Sequence, residues 1–205
     1  MDKLFDLDNP IMQALSKIAD LMILNVLVLV SSLPIITIGA AQTGLYYAIG
    51  RRNNQTGHIW KDYWGAFRSN FKQATLLWLI FLGSGALGAA VILLHSYAQT
   101  SISGVALIIL SAVSLLWLGA LTWVFPLQSK FQNTLINTFR NAIRCTVIEF
   151  PKTIIMIVLT ILPLVLYFGI PTAFAVFCPV LLIVWFSCVA SINLSLMKKV
   201  FSIES

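Results

Sequence analysis

The residues that most often carry chemistry are few in this sequence and widely spaced. The chain has two histidines, His58 and His95, and three cysteines, Cys145, Cys178 and Cys188. Zinc sites take their His and Cys ligands in close pairs, and no such spacing occurs. The seven carboxylates are dispersed, and the sequence contains neither a phosphate-binding glycine loop nor a nucleophile elbow. We therefore expect no metal site, no cofactor and no enzymatic activity, with the cysteines serving as small packing residues.

The composition is that of a membrane protein. Of the 205 residues 59% are hydrophobic and 10% are charged, against about 45–50% and 25% in soluble domains. No Asp, Glu, Lys or Arg lies between Lys72 and Lys130, or between Lys152 and Lys198. Each interval is much longer than the roughly 20 apolar residues that one transmembrane helix needs. Because apolar residues stand at consecutive positions, the alternation of a β-barrel strand is excluded, and we predict an all-α integral membrane bundle.

Five hydrophobic segments are predicted to cross the bilayer within a single membrane domain, residues 1–205. Very short turns join the second to the third and the fourth to the fifth. The longer connections and the tail hold eleven of the thirteen basic residues, so by the positive-inside rule they face the cytoplasm, together with the C-terminus. The predicted spans lie near residues 21–49, 75–94, 102–125, 154–169 and 172–194.

Pro34 interrupts the first segment, which is also too long for one span. About 30 residues would form a helix of about 45 Å, against a hydrocarbon core of about 30 Å. Since proline removes a backbone donor and breaks helices, we predict a single broken span that places the N-terminus outside. A re-entrant first half, which keeps the N-terminus inside, is the alternative. The candidate functional residues of this break are Asn25, Pro34, Thr37, Gly39, Gln42 and Thr43.

Two amphipathic stretches, residues 59–72 and 128–152, are predicted at the cytoplasmic face. In the first, aromatic residues recur every three or four positions, as they do along one face of a helix. Such a helix either anchors the chain among lipid headgroups or docks to a cytoplasmic partner. The candidate docking residues are Trp60, Trp64, Phe67, Arg68, Lys72, Phe139, Arg140 and Arg144.

Small residues in the second span predict close helix packing, within the bundle or between copies of the chain. They are Ser84, Gly85, Gly88 and Ala89. No span carries an ionisable residue away from its ends, which argues against a proton pump or a voltage sensor. The sequence around Phe67-Arg68 also resembles that around Phe139-Arg140, so residues 67–75 and 139–147 are either a short repeat or a coincidence.

The N-terminal third resembles the YesL-like family of uncharacterised bacterial multi-pass membrane proteins. Members are typically encoded beside carbohydrate importers of the ATP-binding-cassette (ABC) type and beside glycan-degrading enzymes, so the resemblance implies an accessory role in oligosaccharide import. It supplies no catalytic residue. The residues that carry it are Leu4-Phe5, Asp8-Asn9-Pro10, Asp20-Leu21, Leu24-Asn25, the run from Leu33 to Ala40, Thr43, Tyr46-Tyr47 and the run from Phe67 to Thr75.

Three functions remain open from the sequence. The first is an accessory component of a carbohydrate importer that contacts the permease or ATPase subunits through residues 59–72 and 128–152. The second is a small oligomeric transporter or channel with Asn25, Gln42 and Asn193 along its path. The third is a membrane scaffold or assembly factor. The net charge of +6 follows from membrane topology and predicts no nucleic-acid partner.

Overall fold

The computed structural model describes residues 10–53, 58–97 and 103–203, and over these residues the predicted all-α class is confirmed. The helices are α1 (Pro10–Ser31), a 3-10 turn (Ile35–Thr37), α2 (Ile38–Asn53), α3 (Ile59–Tyr97), α4 (Gly104–Lys130), α5 (Leu135–Ile148), α6 (Phe150–Gly169), α7 (Pro171–Val180), a π-helical turn (Leu181–Trp185) and α8 (Phe186–Ile203).

Among the described residues, three helices are long and apolar enough to cross a membrane: Ile59–His95 in α3, Gly104–Lys130 in α4 and Phe150–Gly169 in α6. They include the predicted spans near 75–94 and 154–169 and most of the one near 102–125. Large apolar side chains cover their outer surfaces, and Leu87 and Ile108 are each 70% exposed. An exposed apolar surface of this extent is unfavourable in water and is stable in contact with lipid. The chain therefore has the character of an integral membrane protein.

The first predicted span is two helices rather than one. α1 ends at Ser31, and the Thr37 hydroxyl donates to the carbonyl oxygens of Ser31 and Pro34, which fixes the turn into α2. Asp20 in α1 and Arg52 near the end of α2 form an ion pair at 3.5 Å. The two helices therefore run antiparallel. This differs from the expected single crossing, because the start of α1 lies at the same end of the bundle as Arg52.

The fifth predicted span, residues 172–194, is divided as well. α7 has ten residues and is followed by the π-helical turn, in which the backbone adds a residue to one turn, before α8 begins. Pro179 precedes the turn and supplies no backbone N–H. α1 packs against this turn, so the two interrupted segments of the chain lie side by side.

α2 lies in the centre of the bundle, against α1, α3, α4 and α8. The side chains of Leu45, Ile49 and Ala48 are fully buried, as are those of Tyr63 in α3 and Trp123 in α4. A helix of only 16 residues would be a poor transmembrane span on its own. Its stability comes from packing on every side.

α5 packs antiparallel on α4, with its small and hydroxylated side chains inward. Thr138 donates to the Gln128 side chain of α4, and Thr146 lies against Gly119. The large side chains of this helix point outward, and Ile136 and Val147 are 78% and 59% exposed. This orientation leaves an apolar surface for lipid or for another protein.

Candidate functional site

The candidate residues of the first segment mostly hold the bundle together. Asn25 is fully buried, and its side-chain oxygen accepts a hydrogen bond from the Ser187 backbone N–H at 3.2 Å. The buried Thr43 hydroxyl donates to the Gly39 carbonyl of its own helix. Gln42 is half-buried, and Pro34 is exposed. These residues lie along two helices and do not form one site.

Asn193, proposed from the sequence as part of a path, is also buried. Its amide nitrogen donates to the Tyr46 hydroxyl at 3.0 Å, which links α8 to α2. The Asn193 side-chain oxygen and the Ser187 hydroxyl have no hydrogen-bond partner among the described residues. Tyr46 was not a sequence candidate, because nothing local distinguishes a packing tyrosine from a bonded one.

The small residues predicted for packing divide into two pairs. Ser84 accepts a hydrogen bond from the Trp117 indole of α4 at 2.9 Å, and a Cβ at Gly85 would meet the same ring. Gly88 has open space beside it, and Ala89 is exposed. Ser84 and Gly85 therefore pack against Trp117, whereas Gly88 and Ala89 lie on the outer surface.

A row of aromatic rings follows the start of α3, with Trp60 and Phe71 exposed and Trp64 and Phe67 half-buried. Trp60 contacts Trp64 edge to face, Trp64 contacts Phe67, and Phe67 contacts Phe71, with ring centroids 5.3–6.2 Å apart. Beside it is a groove of about 480 Å³, lined by Trp60, Lys61, Trp64, Gly65 and Arg68. We call this the aromatic groove. Trp60 is 59% exposed, so its ring is available to a partner or to lipid.

The second set of candidate docking residues lies apart from this row. Phe139 of α5 packs on Phe81, roughly three turns along α3 from Phe71. Arg140 and Arg144 are exposed on the outer side of α5. The two predicted docking sets are therefore separate surfaces.

A polar cleft of about 900 Å³ opens between α2, the first half of α3 and the segment that joins α4 to α5. Its volume lies within the range of small-molecule sites. Amide side chains line it: Asn70, Gln73, Gln128, Gln132 and Asn133. Hydroxyl groups complete the polar lining: Tyr47, Ser69, Ser129 and Thr134.

Hydrogen bonds between helices fix the amides of the polar cleft. Gln128 donates to the Asn70 side chain at 3.1 Å and accepts from Thr138 at 3.3 Å. Gln73 donates to the Asn133 backbone oxygen at 2.6 Å. Since Gln128 is only 3% exposed, its orientation is set by the fold. The fold therefore preorganises these amide groups in the absence of a ligand.

One end of the polar cleft carries an ion pair. The Arg51 Nε lies 3.6 Å from Asp62 Oδ1, and the same guanidinium donates to the Tyr47 hydroxyl at 3.2 Å. The Tyr47 hydrogen bond, followed by the Asp62 charge, raises the pKa of Arg51, which therefore stays positively charged. The second carboxylate oxygen, Asp62 Oδ2, is buried and has no hydrogen-bond partner among the described residues.

The sequence did not predict the polar cleft. Its amides are polar residues next to apolar helices, and nothing in their local sequence places them together. Gln73 and Asn133 are 60 positions apart, so their proximity depends on the tertiary fold.

The fold and these surfaces define an all-helical membrane protein with an interrupted first segment. Residues 21–90 match the model of a family described as a protein of unknown function, DUF624. The match spans 70 of the 205 residues, from the second half of α1 through most of α3, and includes the Pro34 break. YesL-like proteins carry this domain, so the match agrees with the predicted resemblance at that level. No curated protein and no solved structure matches the chain.

Proposed function

We propose that this protein is an accessory membrane component of a bacterial carbohydrate importer of the ABC type, located in the cytoplasmic membrane. The family resemblance supplies the biological context. The structural observation that carries the proposal is the aromatic groove, which exposes indole rings and an arginine on one face of α3. Trp and Arg are the residue types that most often dominate binding at protein interfaces. In this proposal the protein has no catalytic step.

The charges of the aromatic groove favour a partner with acidic residues. Lys61 and Arg68 line the groove, and both are exposed. Lys72 follows Arg68 one turn later and is exposed too. A permease loop or an ATPase surface with carboxylates beside an apolar side chain would complement this arrangement. The outward side of α5 offers a second contact for the same assembly.

Affinity purification from native membranes in a mild detergent tests the proposal. The tagged full-length chain is expected to recover a permease or ATPase subunit of a carbohydrate importer. The double variant Trp60→Ala, Trp64→Ala should lose most of that recovery, by about tenfold or more if the two rings act as hot-spot residues. Tyr97→Ala is the matched control, because Tyr97 is 84% exposed near the opposite end of α3.

Two outcomes would count against this function. Recovery of the chain without any importer subunit would remove its basis, as would equal recovery by the double variant and the control. If the purified chain alone carried a sugar flux across reconstituted vesicles, the transporter alternative would replace it.

A further inference from the structure

We propose that the polar cleft binds a neutral polyhydroxylated molecule, such as an oligosaccharide. This gives the proposed accessory protein a ligand at its cytoplasmic face and rests on the proposed function for its physiological meaning. The evidence for binding is independent of that meaning. It comes from the chemistry of the cleft wall, from one buried acceptor and from the way the wall is held.

The wall of the polar cleft matches hydroxyl groups in kind. An amide side chain presents an N–H₂ donor and a C=O acceptor, and a sugar hydroxyl also both donates and accepts. Gln73 uses its nitrogen on the Asn133 backbone, which leaves its side-chain oxygen for a ligand. The amide side chains of Gln132 and Asn133 also line the cleft. Such groups favour a ligand whose own groups can both donate and accept hydrogen bonds.

Asp62 makes the match more specific. A buried carboxylate oxygen without a hydrogen-bond donor is costly, and Asp62 Oδ2 is such an atom at the cleft. Because Oδ2 has almost no accessible surface, a ligand O–H group supplies the missing donor once the carboxylate, whose side chain is 15% exposed, rotates toward the cleft. An anion would instead be repelled by this carboxylate, although Lys61 stands at the exposed rim.

Two of the three cationic groups in or beside the polar cleft have partners of their own. Arg51 pairs with Asp62 and Tyr47. The Lys130 ammonium lies over the Phe131 ring, 5.5 Å from its centroid. Asp62 and Lys130 both line the cleft, so a phosphate would meet charges of both signs, whereas an uncharged ligand would bond the amide and hydroxyl groups.

The lining also favours a sugar over an extended peptide. Peptide sites alternate backbone hydrogen bonds with apolar pockets for side chains. The polar cleft has one large apolar side chain, Phe131, among mostly amide and hydroxyl groups. An aromatic ring with convergent amides is an arrangement that can stack on one face of a sugar while bonding its hydroxyl groups.

Isothermal titration of the purified full-length chain tests this inference. The protein is placed in lipid nanodiscs, because the sugar headgroup of a maltoside detergent would compete for the cleft. The probes are maltotriose, cellotriose and xylotriose, with inorganic phosphate and trialanine amide as the contrasting ligands. At least one trisaccharide is expected to bind saturably at a single site, and neither contrasting ligand is expected to compete.

Two variants connect binding to the cleft. Asp62→Asn removes the buried charge and Gln73→Leu removes the free amide oxygen, and each should weaken trisaccharide binding by about tenfold. Glu149→Gln is the matched control for the first, since Glu149 also belongs to an ion pair, with Lys152 at 2.7 Å. Gln13→Leu is the control for the second, since Gln13 is exposed on α1.

The inference fails if none of the three sugars binds, or if the cleft variants bind as well as their controls. It also fails if phosphate or the peptide binds in preference and responds to Asp62→Asn. These outcomes are separable from failure of the proposed function, because sugar binding is measured on the chain alone. The Trp60 and Trp64 variants should leave sugar binding unchanged.

Discussion

At the scale of single residues, glycine marks the closest helix contact in the family-matched region. A Cβ at Gly39 would collide with the Ala74 carbonyl oxygen of α3 and with the Trp78 Cβ. The carbonyl belongs to the backbone and cannot move aside cheaply. Gly39 was a sequence candidate for function, and the structure gives it a packing role.

Replacing Gly39 by alanine should therefore destabilise the bundle. We expect Gly39→Ala to lower the free energy of unfolding by about 1–3 kcal/mol, the usual range for overpacking a tight contact. Tryptophan fluorescence during thermal unfolding in detergent measures the effect. Gly83→Ala is the matched control, because nothing lies within 4 Å of a Cβ there. That variant should be neutral or stabilise by up to about 1 kcal/mol, since alanine favours helix. Equal loss in both variants would contradict the close approach.

At the scale of elements, the two interrupted segments set the shape of the bundle. The turn between α1 and α2 reverses the chain, and the π-helical turn before α8 lies against α1. Asn25 connects them through the Ser187 backbone N–H. Both interruptions occur where proline is nearby, at Pro34 and at Pro179. The prolines thus explain where the helices are interrupted. The packing shows that the two interrupted segments contact each other.

The α1–α2 reversal can be tested by cross-linking. With Cys145, Cys178 and Cys188 replaced by serine, the pair Asp20→Cys and Arg52→Cys should be joined by a short thiol-specific reagent, because the native side chains are 3.5 Å apart. Mass spectrometry of the digested protein identifies the linked peptides. The pair Asp20→Cys and Tyr97→Cys is the control and should not react. A single crossing of residues 21–49 would give no product from either pair.

The two similar stretches, residues 67–75 and 139–147, each contain a residue that lies close to a glycine of another helix. Ala74 is the eighth residue of the stretch that starts at Phe67, and Thr146 is the eighth residue of the stretch that starts at Phe139. Gly39 of α2 approaches Ala74, and Gly119 of α4 approaches Thr146. The two contacts differ in kind, because Gly39 meets the Ala74 backbone carbonyl and Gly119 meets the Thr146 side chain.

At the scale of the whole molecule, much of the membrane region was predictable. Charge-free intervals located the three long apolar helices. A charge in lipid is costly, so a long interval without charges indicates a membrane-spanning helix. The first span could not be resolved, since a sequence shows that Pro34 breaks a helix but not the angle at which the chain leaves the break.

The antiparallel pair of α1 and α2 predicts a topology for the whole chain. If the basic residues Arg51 and Arg52 face the cytoplasm, the start of α1 does too. Green fluorescent protein fused to either terminus should then fluoresce, since it matures in the cytoplasm and not after export in unfolded form. A fusion inserted between residues 98 and 102 should remain dark. A dark N-terminal fusion with a bright C-terminal one would restore the single-span topology.

The π-helical turn bears on how relatives of this chain should be compared. A π turn contains one residue more than the α-helical turn it replaces, so residues after Trp185 are rotated by about 100° relative to a continuous helix from Pro171. That rotation brings Val189, Asn193 and Met197 to the buried side of α8. A relative with one residue fewer at this place would have a continuous α-helix and would bury the side chains that correspond to Val189, Asn193 and Met197. An alignment that permits no gap there would pair inward positions of one protein with outward positions of another.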